Sequence, residues 1–478
     1  MAVVRDDGRA FSLRFPVVVV GAGACGLVAA LAARDAGAEV LVLERDATPA
    51  GSTALSSGFI PACGTRLQRA AGVDDSVERM AADIQAKNHG EADPRIVDAL
   101  CRASGPAIEW LADAHGLPFV LLQGFFYPGH SALRMHAVPE KTGAGLMAAL
   151  LRAVRVSGIE LLTSARVVDL IVDSARRVLG LRFVRPDGSH EEVGCGALVL
   201  ACSGFGGSRE LVLRHLPEIA GAHYFGHMGN QGDALAWGAA LGAAVRDMSA
   251  YQGHGSVATP HGILITWALM MEGGIQVNAH GERFSNEHLG YSEQCLPVLA
   301  QPGGIAWNVY DERLHQLGLE FPDYRDALAL GAVHRAPDAN GLAQLTGLPP
   351  PALGATLAQC ERYARGGEPD SLGRDFTTRP ALVAPYYAVK VSAALFHTQG
   401  GLMVDDQARV LDQHCAPLPN LLAGGGAACG ISGAHVWGYL SGNGLLSALS
   451  LGRLAGAEAA RLASLRPEVP AGAGHRLI

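Results

Sequence analysis

Three glycines and one acid are the first residues whose spacing points to chemistry. Gly21, Gly23 and Gly26 form a GxGxxG run, and Glu44 stands 18 residues after the last of them. This pattern suits a dinucleotide phosphate site. Gly21 permits a tight turn, Gly23 lets a pyrophosphate approach the backbone, and Gly26 lets a helix pack close to a strand. Glu44 is placed to accept hydrogen bonds from ribose hydroxyls. Such a run also occurs as an ordinary turn before a helix, so the flanking elements decide.

Those elements are present. Val17 to Val20 is an unbroken β-branched run, which predicts a buried parallel strand. An Ala-rich stretch, Leu27 to Ala36, predicts a helix whose N-terminus faces negative charge. A second strand, Glu39 to Leu43, leads into Glu44.

The rest of the chain fits an enzyme. It has 478 residues, 49% hydrophobic and 17% charged, with 61 glycines, enough for two well-packed domains of α/β type. A net charge of −8 and the lack of a basic run argue against a nucleic-acid partner. Met1 to Phe15 carries Arg5, Asp6, Asp7 and Arg9 and no signal-peptide apolar stretch. Apolar runs stop short of membrane-spanning length, the longest candidate being Gly262 to Met271. A cytoplasmic location without a transmembrane segment is expected, and the tail after Pro470 is expected to be disordered. The nine cysteines are scattered without a CxxC, which predicts reduced thiols rather than disulfides or an iron–sulfur cluster. No histidine spacing suggests a metal.

The hydroxyl-rich segment Gly51-Ser-Thr-Ala-Leu-Ser-Ser-Gly58 makes the reading specific. The chain resembles the flavoprotein family of fumarate reductases, succinate dehydrogenases and 3-ketosteroid dehydrogenases, in which a similar loop follows the ribose-binding acid and wraps the flavin. Further blocks carry the resemblance: Ala197 to Gly207, Gly400 to Asp405, Leu421 to Gly426, and Gly442-Asn-Gly-Leu-Leu446 opening a last helix to about Ala463. It implies a Rossmann-type FAD-binding domain built from residues 1–225 and 377–478. An α+β substrate-capping domain, residues 226–376, is inserted between them. The cap would begin with the Gly232-Asp233 helix and contain an outer part at Ala336 to Arg365.

FAD contacts are implied for Gly21, Gly23, Ala24, Gly26, Glu44 and Arg45, and for the loop residues Ser52, Thr53, Ser56, Ser57 and Gly58. Val167, Ser203, Gly204, Gly425, Asn443 and Leu445 complete the set. The last helix would point its N-terminus at the flavin ring, where reduction places negative charge. The family often has an acid where Gly426 stands. No His lies between Glu44 and Gly58, so the flavin should be bound non-covalently.

The resemblance also locates a reaction centre. Fumarate reductases hold two carboxylates with arginines, one of them the proton donor. Here Tyr291 follows Gly281-Glu-Arg-Phe-Ser-Asn-Glu287, and Tyr439 precedes Leu-Ser-Gly-Asn443, where those arginines would fall. Paired phenols resemble the 3-ketosteroid and cyclic-ketone dehydrogenases. In those enzymes one phenol removes an α proton, another polarises the carbonyl, and hydride leaves the β carbon for the flavin. Tyr127, in Gly124-Phe-Phe-Tyr-Pro-Gly129, resembles a third tyrosine that partners the base. A backbone N–H near Gly442 or Asn443 would assist the carbonyl. His397, in Phe396-His-Thr-Gln-Gly-Gly401, either contacts a polar group of the substrate or bonds backbone in the flavin loop. His435 and Ser441 are expected in the same region.

The expected function is thus FAD-dependent desaturation of a cyclic ketone, a 3-ketosteroid or a smaller alicyclic ketone. The compact cap and His397 favour the smaller one. The rivals are a fumarate-reductase-like enoate reductase, which should carry arginines at 291 and 439, and an electron-transfer flavoprotein subunit, which should lack a base. No second dinucleotide fingerprint appears. The reduced flavin would then pass electrons to a quinone, another acceptor or oxygen.

Overall fold

The structure, a computed structural model, describes residues 2–465. The tail expected to be disordered lies outside the described residues. The apolar β-branched runs do form the centre of a parallel sheet. Arg14–Val20 lies between His190–Leu200 and Val40–Leu43, with Glu160–Leu162 beyond. Val17, Val18 and Val19 are fully buried, which is why they need no polar alternation. Pro417–Ala423 pairs parallel with the end of His190–Leu200, so both ends of the chain build one nine-stranded sheet. His190–Leu200 changes partners along its length. Along one edge its first half runs antiparallel to Val178–Val184 and its end runs parallel to Pro417–Ala423, while its other edge pairs with Arg14–Val20. The helix after the first glycines is Ala24–Asp35, three residues earlier than its Leu start suggests. The C-terminal helix, Asn443–Ser464, packs against it in one shared core.

A second, seven-stranded sheet is mostly antiparallel, with Tyr386–Thr398 at its centre. Tyr251–Ala258 and Ile305–Asp311 flank that strand, and Ile275–Val277 forms one edge. This sheet extends past both expected limits of the inserted unit, because His223–Tyr224 and Tyr386–Thr398 pair within it. Conversely, the helix Asp233–Leu241 packs into the nucleotide-side core through Trp237, whose indole N–H donates to the Val168 carbonyl at 3.4 Å. Strand pairing and helix docking decide these memberships, and neither leaves a mark in local composition. The Ala336 to Arg365 segment folds as two helices, Ala339–Thr346 and Pro350–Ala364.

No disulfide joins the cysteines, and only Cys415 is exposed. Among the described residues no helix is long and apolar enough to cross a membrane. Nor does any group of three or more His, Cys, Asp or Glu among them form a metal cluster.

Candidate active site

A continuous cavity runs from the C-terminal ends of the parallel strands to the second sheet. At its first end the glycine turn follows Arg14–Val20. Gly21 has φ +103°, and a Cβ there would stand 2.5 Å from the Ala201 carbonyl oxygen, so only glycine fits. Gly26 lies behind the turn, against the Gly21 carbonyl, and does not line the cavity. Gly23 caps the helix without a side-chain hydrogen bond, which leaves first-turn N–H groups to face a ligand. Glu44 ends the second strand. Its carboxylate accepts the Ala22 N–H at 2.8 Å and the Asp46 N–H at 3.0 Å, which pins it beside the turn.

The hydroxyl-rich loop starts with the short helix Gly51–Ala54. Thr53 Oγ1 accepts from the Ala24 N–H at 3.2 Å, and the Ser56 hydroxyl donates to the Thr53 carbonyl at 2.7 Å. Ser52 accepts from His227 N at 3.1 Å and Asn230 Nδ2 at 2.9 Å. Arg45 donates to the Gly229 carbonyl and sits 3.7 Å from Asp233. Ala24, Glu44, Ser57, Gly58, Val167, Ser203, Gly425 and Leu445 line the cavity as well. Gly204 does not, since it packs against Thr398 Oγ1. Asn443 is also set back from the cavity, buried in the first turn of the last helix.

These residues fit FAD. Gly23 opens onto the cavity, with only Thr53 Oγ1, 3.6 Å from where a Cβ would be, close by. Ser447 Oγ, one turn into the last helix and on the cavity wall, is buried without a protein partner. Buried polar atoms of this kind call for a ligand.

At the other end, three tyrosines meet. Tyr291 and Tyr439 have ring centroids 6.2 Å apart, Tyr127 and Tyr291 also 6.2 Å, and His397 lies 5.6 Å from Tyr439. All four line the cavity, with Ser441 and Gly442. Burial pushes the Tyr291 phenol up to about 12, but the Ser441 and Tyr439 hydroxyls and the Gly442 N–H act against it by bonding the phenolate. Tyr439 is pushed well above its ordinary value, by burial and by the neighbouring Tyr291. It accepts the Gly444 N–H at 3.3 Å. Burial likewise raises Tyr127. The two phenols are coupled neighbours: the Ser441 hydroxyl and the Gly442 N–H favour charge on Tyr291, and the Gly444 and Gly442 N–H groups favour it on Tyr439.

His435 is placed elsewhere. It is half exposed, stacks on Trp437 at 4.9 Å and lies 3.5 Å from Glu91, outside the cavity. Its neighbours in sequence turn through a short 3₁₀ segment, Val436–Gly438, which separates its direction from that of Tyr439.

Several lining residues are invisible to motif reading. His254 stacks between Tyr291, at 4.7 Å, and Phe396, at 5.1 Å, and Phe396 stacks on Phe225 at 4.8 Å. Trp267, Thr266, Phe59 and Gln252 complete this wall. One signal was available: Gln252 and His254 are polar residues two apart in a strand that is buried throughout, and both side chains line the cavity. Burial pushes His254 down to about 3 and His397 down to about 4, so both rings are neutral near pH 7. Among the described residues lining the cavity, the arginines are Arg45 and Arg166, both at the nucleotide end.

Comparison with known proteins agrees with this geometry. The family described as FAD binding domain matches residues 16–445. The chain is 29% identical over 448 residues to a probable fumarate reductase of Shewanella frigidimarina, covering 93% of this chain and 74% of the relative. It is 26% identical over 563 aligned positions to 4-oxocyclohex-2-ene-1-carboxylate 5-dehydrogenase of Sinomonas cyclohexanicum, covering 94% of each. The crystal structure of 3-ketosteroid-Δ4-(5α)-dehydrogenase from Rhodococcus jostii, in complex with 4-androstene-3,17-dione, superposes with a TM-score of 0.76. The identity is 27%, with 96% of this chain and 99% of that one covered. The chain belongs to this FAD-binding family of fumarate-reductase and ketosteroid-dehydrogenase flavoproteins, and it is an FAD-dependent oxidoreductase.

Proposed function

We propose that the protein desaturates a cyclic ketone to its α,β-unsaturated ketone. One observation carries this reading: two facing phenols stand in a pocket end whose other polar groups are neutral. The bound FAD supplies a hydride acceptor for the β carbon. Tyr291 is the base that takes the α proton, because the Tyr439 and Ser441 hydroxyls and the Gly442 N–H stabilise its phenolate. Tyr439 is the carbonyl donor. Its proton turns to the substrate oxygen as enolate charge develops, while the Gly444 N–H supports its own oxygen. Tyr127 flanks the base and helps exclude water. The body built on the second sheet carries Tyr291 and serves as the cap.

A dicarboxylate fits poorly. Two carboxylates here would meet neutral histidines and phenols, and burying unpaired charge is costly. The ring ketones named for the Sinomonas cyclohexanicum dehydrogenase and the Rhodococcus jostii steroid dehydrogenase support a ring ketone, and the polar groups at this end, His397 among them, favour a small alicyclic one over a steroid. The electron acceptor is a quinone, another small acceptor or oxygen.

The test is a turnover screen of cyclohexanones and 3-ketosteroids with an artificial electron acceptor, following acceptor bleaching and enone formation. The reading predicts enone product from at least one ring ketone. Fumarate-dependent oxidation of the reduced flavin, without ketone desaturation, would overturn it.

A further inference from the structure

A buried chain of hydrogen bonds runs from the last helix to the cavity and is not used by the reaction scheme above. Asn443 Nδ2 donates to Ser432 Oγ at 3.2 Å, the Ser432 hydroxyl donates to Gln399 Oε1 at 2.9 Å, and Gln399 Nε2 approaches His397 Nδ1 at 3.0 Å. Asn443, Ser432 and Gln399 are 0%, 1% and 5% exposed, so water does not compete for these contacts.

The direction of the chain follows from its members. Ser432 has one proton. If it accepts from Asn443, it must donate to Gln399, and the Gln399 amide then presents its NH₂ to His397. Running the other way, both amides would be turned over and an Asn443 N–H would be buried where the partnerless Asn443 Oδ1 now lies. An orphaned buried N–H is rarer and costlier than an under-satisfied carbonyl oxygen. The alternative partner of Nδ1, the Thr398 carbonyl, is 3.4 Å away, at the limit of a hydrogen bond.

We infer that Gln399 is a positioning residue: through the Asn443–Ser432–Gln399 chain it fixes His397 as the neutral tautomer with its proton on Nε2, a donor facing the cavity. The place of that nitrogen fits the role. A Cβ on Gly444 would meet His397 Nε2 at 2.7 Å, so the absence of a side chain there leaves Nε2 open beside Tyr439. His397 thus reads a hydrogen-bond acceptor on the substrate, a carbonyl or carboxylate oxygen, and rejects a donor at that point. This rests on the ketone reading for the identity of the acceptor, but the tautomer does not depend on it.

The experiment separates the two. Holoenzyme labelled with ¹⁵N-histidine is examined without substrate between pH 6 and 8, and the His397 ring signals are assigned by their loss in His397→Gln. The expected spectrum has a protonated Nε2 and an unprotonated Nδ1, unchanged across this range. In Gln399→Glu, a carboxylate facing Nδ1 should draw the proton to that nitrogen, and KM for the best ketone should rise about tenfold with a smaller change in kcat. That is the scale of one hydrogen bond lost. A wild-type His397 protonated on Nδ1 would overturn the inference, and that spectrum decides even if a variant fails to fold. Inversion of the tautomer in Gln399→Glu with unchanged KM would end its claim on substrate recognition. Ketone desaturation by the wild type would still stand in either case.

Discussion

The two ends of the cavity are built on opposite principles. The nucleotide end works with backbone N–H groups and charge: the Gly23 helix terminus, Glu44, Arg45, Asp46 and Arg166. The substrate end has three phenols, two neutral histidines and a stacked wall of Phe225, Phe396 and His254. A fixed, charged ligand needs fixed partners, and these are set by a turn and a helix. A neutral ketone needs groups whose charge appears only during the reaction, and burial keeps such groups neutral until then.

This contrast can be broken first at Tyr291. Tyr291→Phe keeps the ring and its packing but deletes the proposed base, so kcat for ketone desaturation should fall by roughly 10² to 10⁴, measured with an artificial acceptor. In the proposed mechanism the active form of the wild type is the phenolate of a group pushed up to about 12. Log kcat/KM should therefore rise with pH through the neutral and mildly alkaline range. No histidine-dependent limb is expected above pH 6, because His254 and His397 lose their charge near pH 3 and 4. Tyr439→Phe removes one donor to a developing oxyanion, a loss of about 3 kcal/mol or roughly a hundredfold in kcat, with FAD retained.

At the charged end the effect should fall on binding instead. Glu44→Gln removes the charge from two bonds, to the Ala22 and Asp46 N–H groups, and turns one of the two carboxylate acceptors into a donor. FAD affinity, read by flavin fluorescence on titration of apoprotein, should drop about tenfold or more while the ketone preference of the loaded enzyme is kept. Acid precipitation should release the flavin intact, since no His lies in the loop between Glu44 and Gly58. The smallest effect belongs to His435→Ala. That side chain is half exposed and paired with Glu91, so turnover should change less than twofold.

The same contrast explains what the sequence revealed. The nucleotide end is local: a strand, a turn, a helix and an acid within 28 residues, from Val17 to Glu44, each with a composition rule behind it. The parallel sheet and the last helix were legible for the same reason. Tyr291 and Tyr439 were legible only through the family resemblance, as phenols where it implies arginines. His254, Trp267 and Phe225 reach the cavity through pairing in the second sheet and through ring stacking, which sequence spacing does not encode. His435 shows the converse error. It is four residues from Tyr439, yet the Val436–Gly438 turn sends it to the surface.

Solvent exchange at the substrate α carbon tests the central claim most directly, because it isolates proton removal from the electron acceptor. Oxidised wild-type enzyme, kept anaerobic in D₂O with its best ring ketone, should incorporate deuterium at the α position. The exchange should nearly stop in Tyr291→Phe and persist, slowed, in Tyr439→Phe. Wild-type exchange in Tyr291→Phe would show that this phenol only packs, and that the proton leaves to another group.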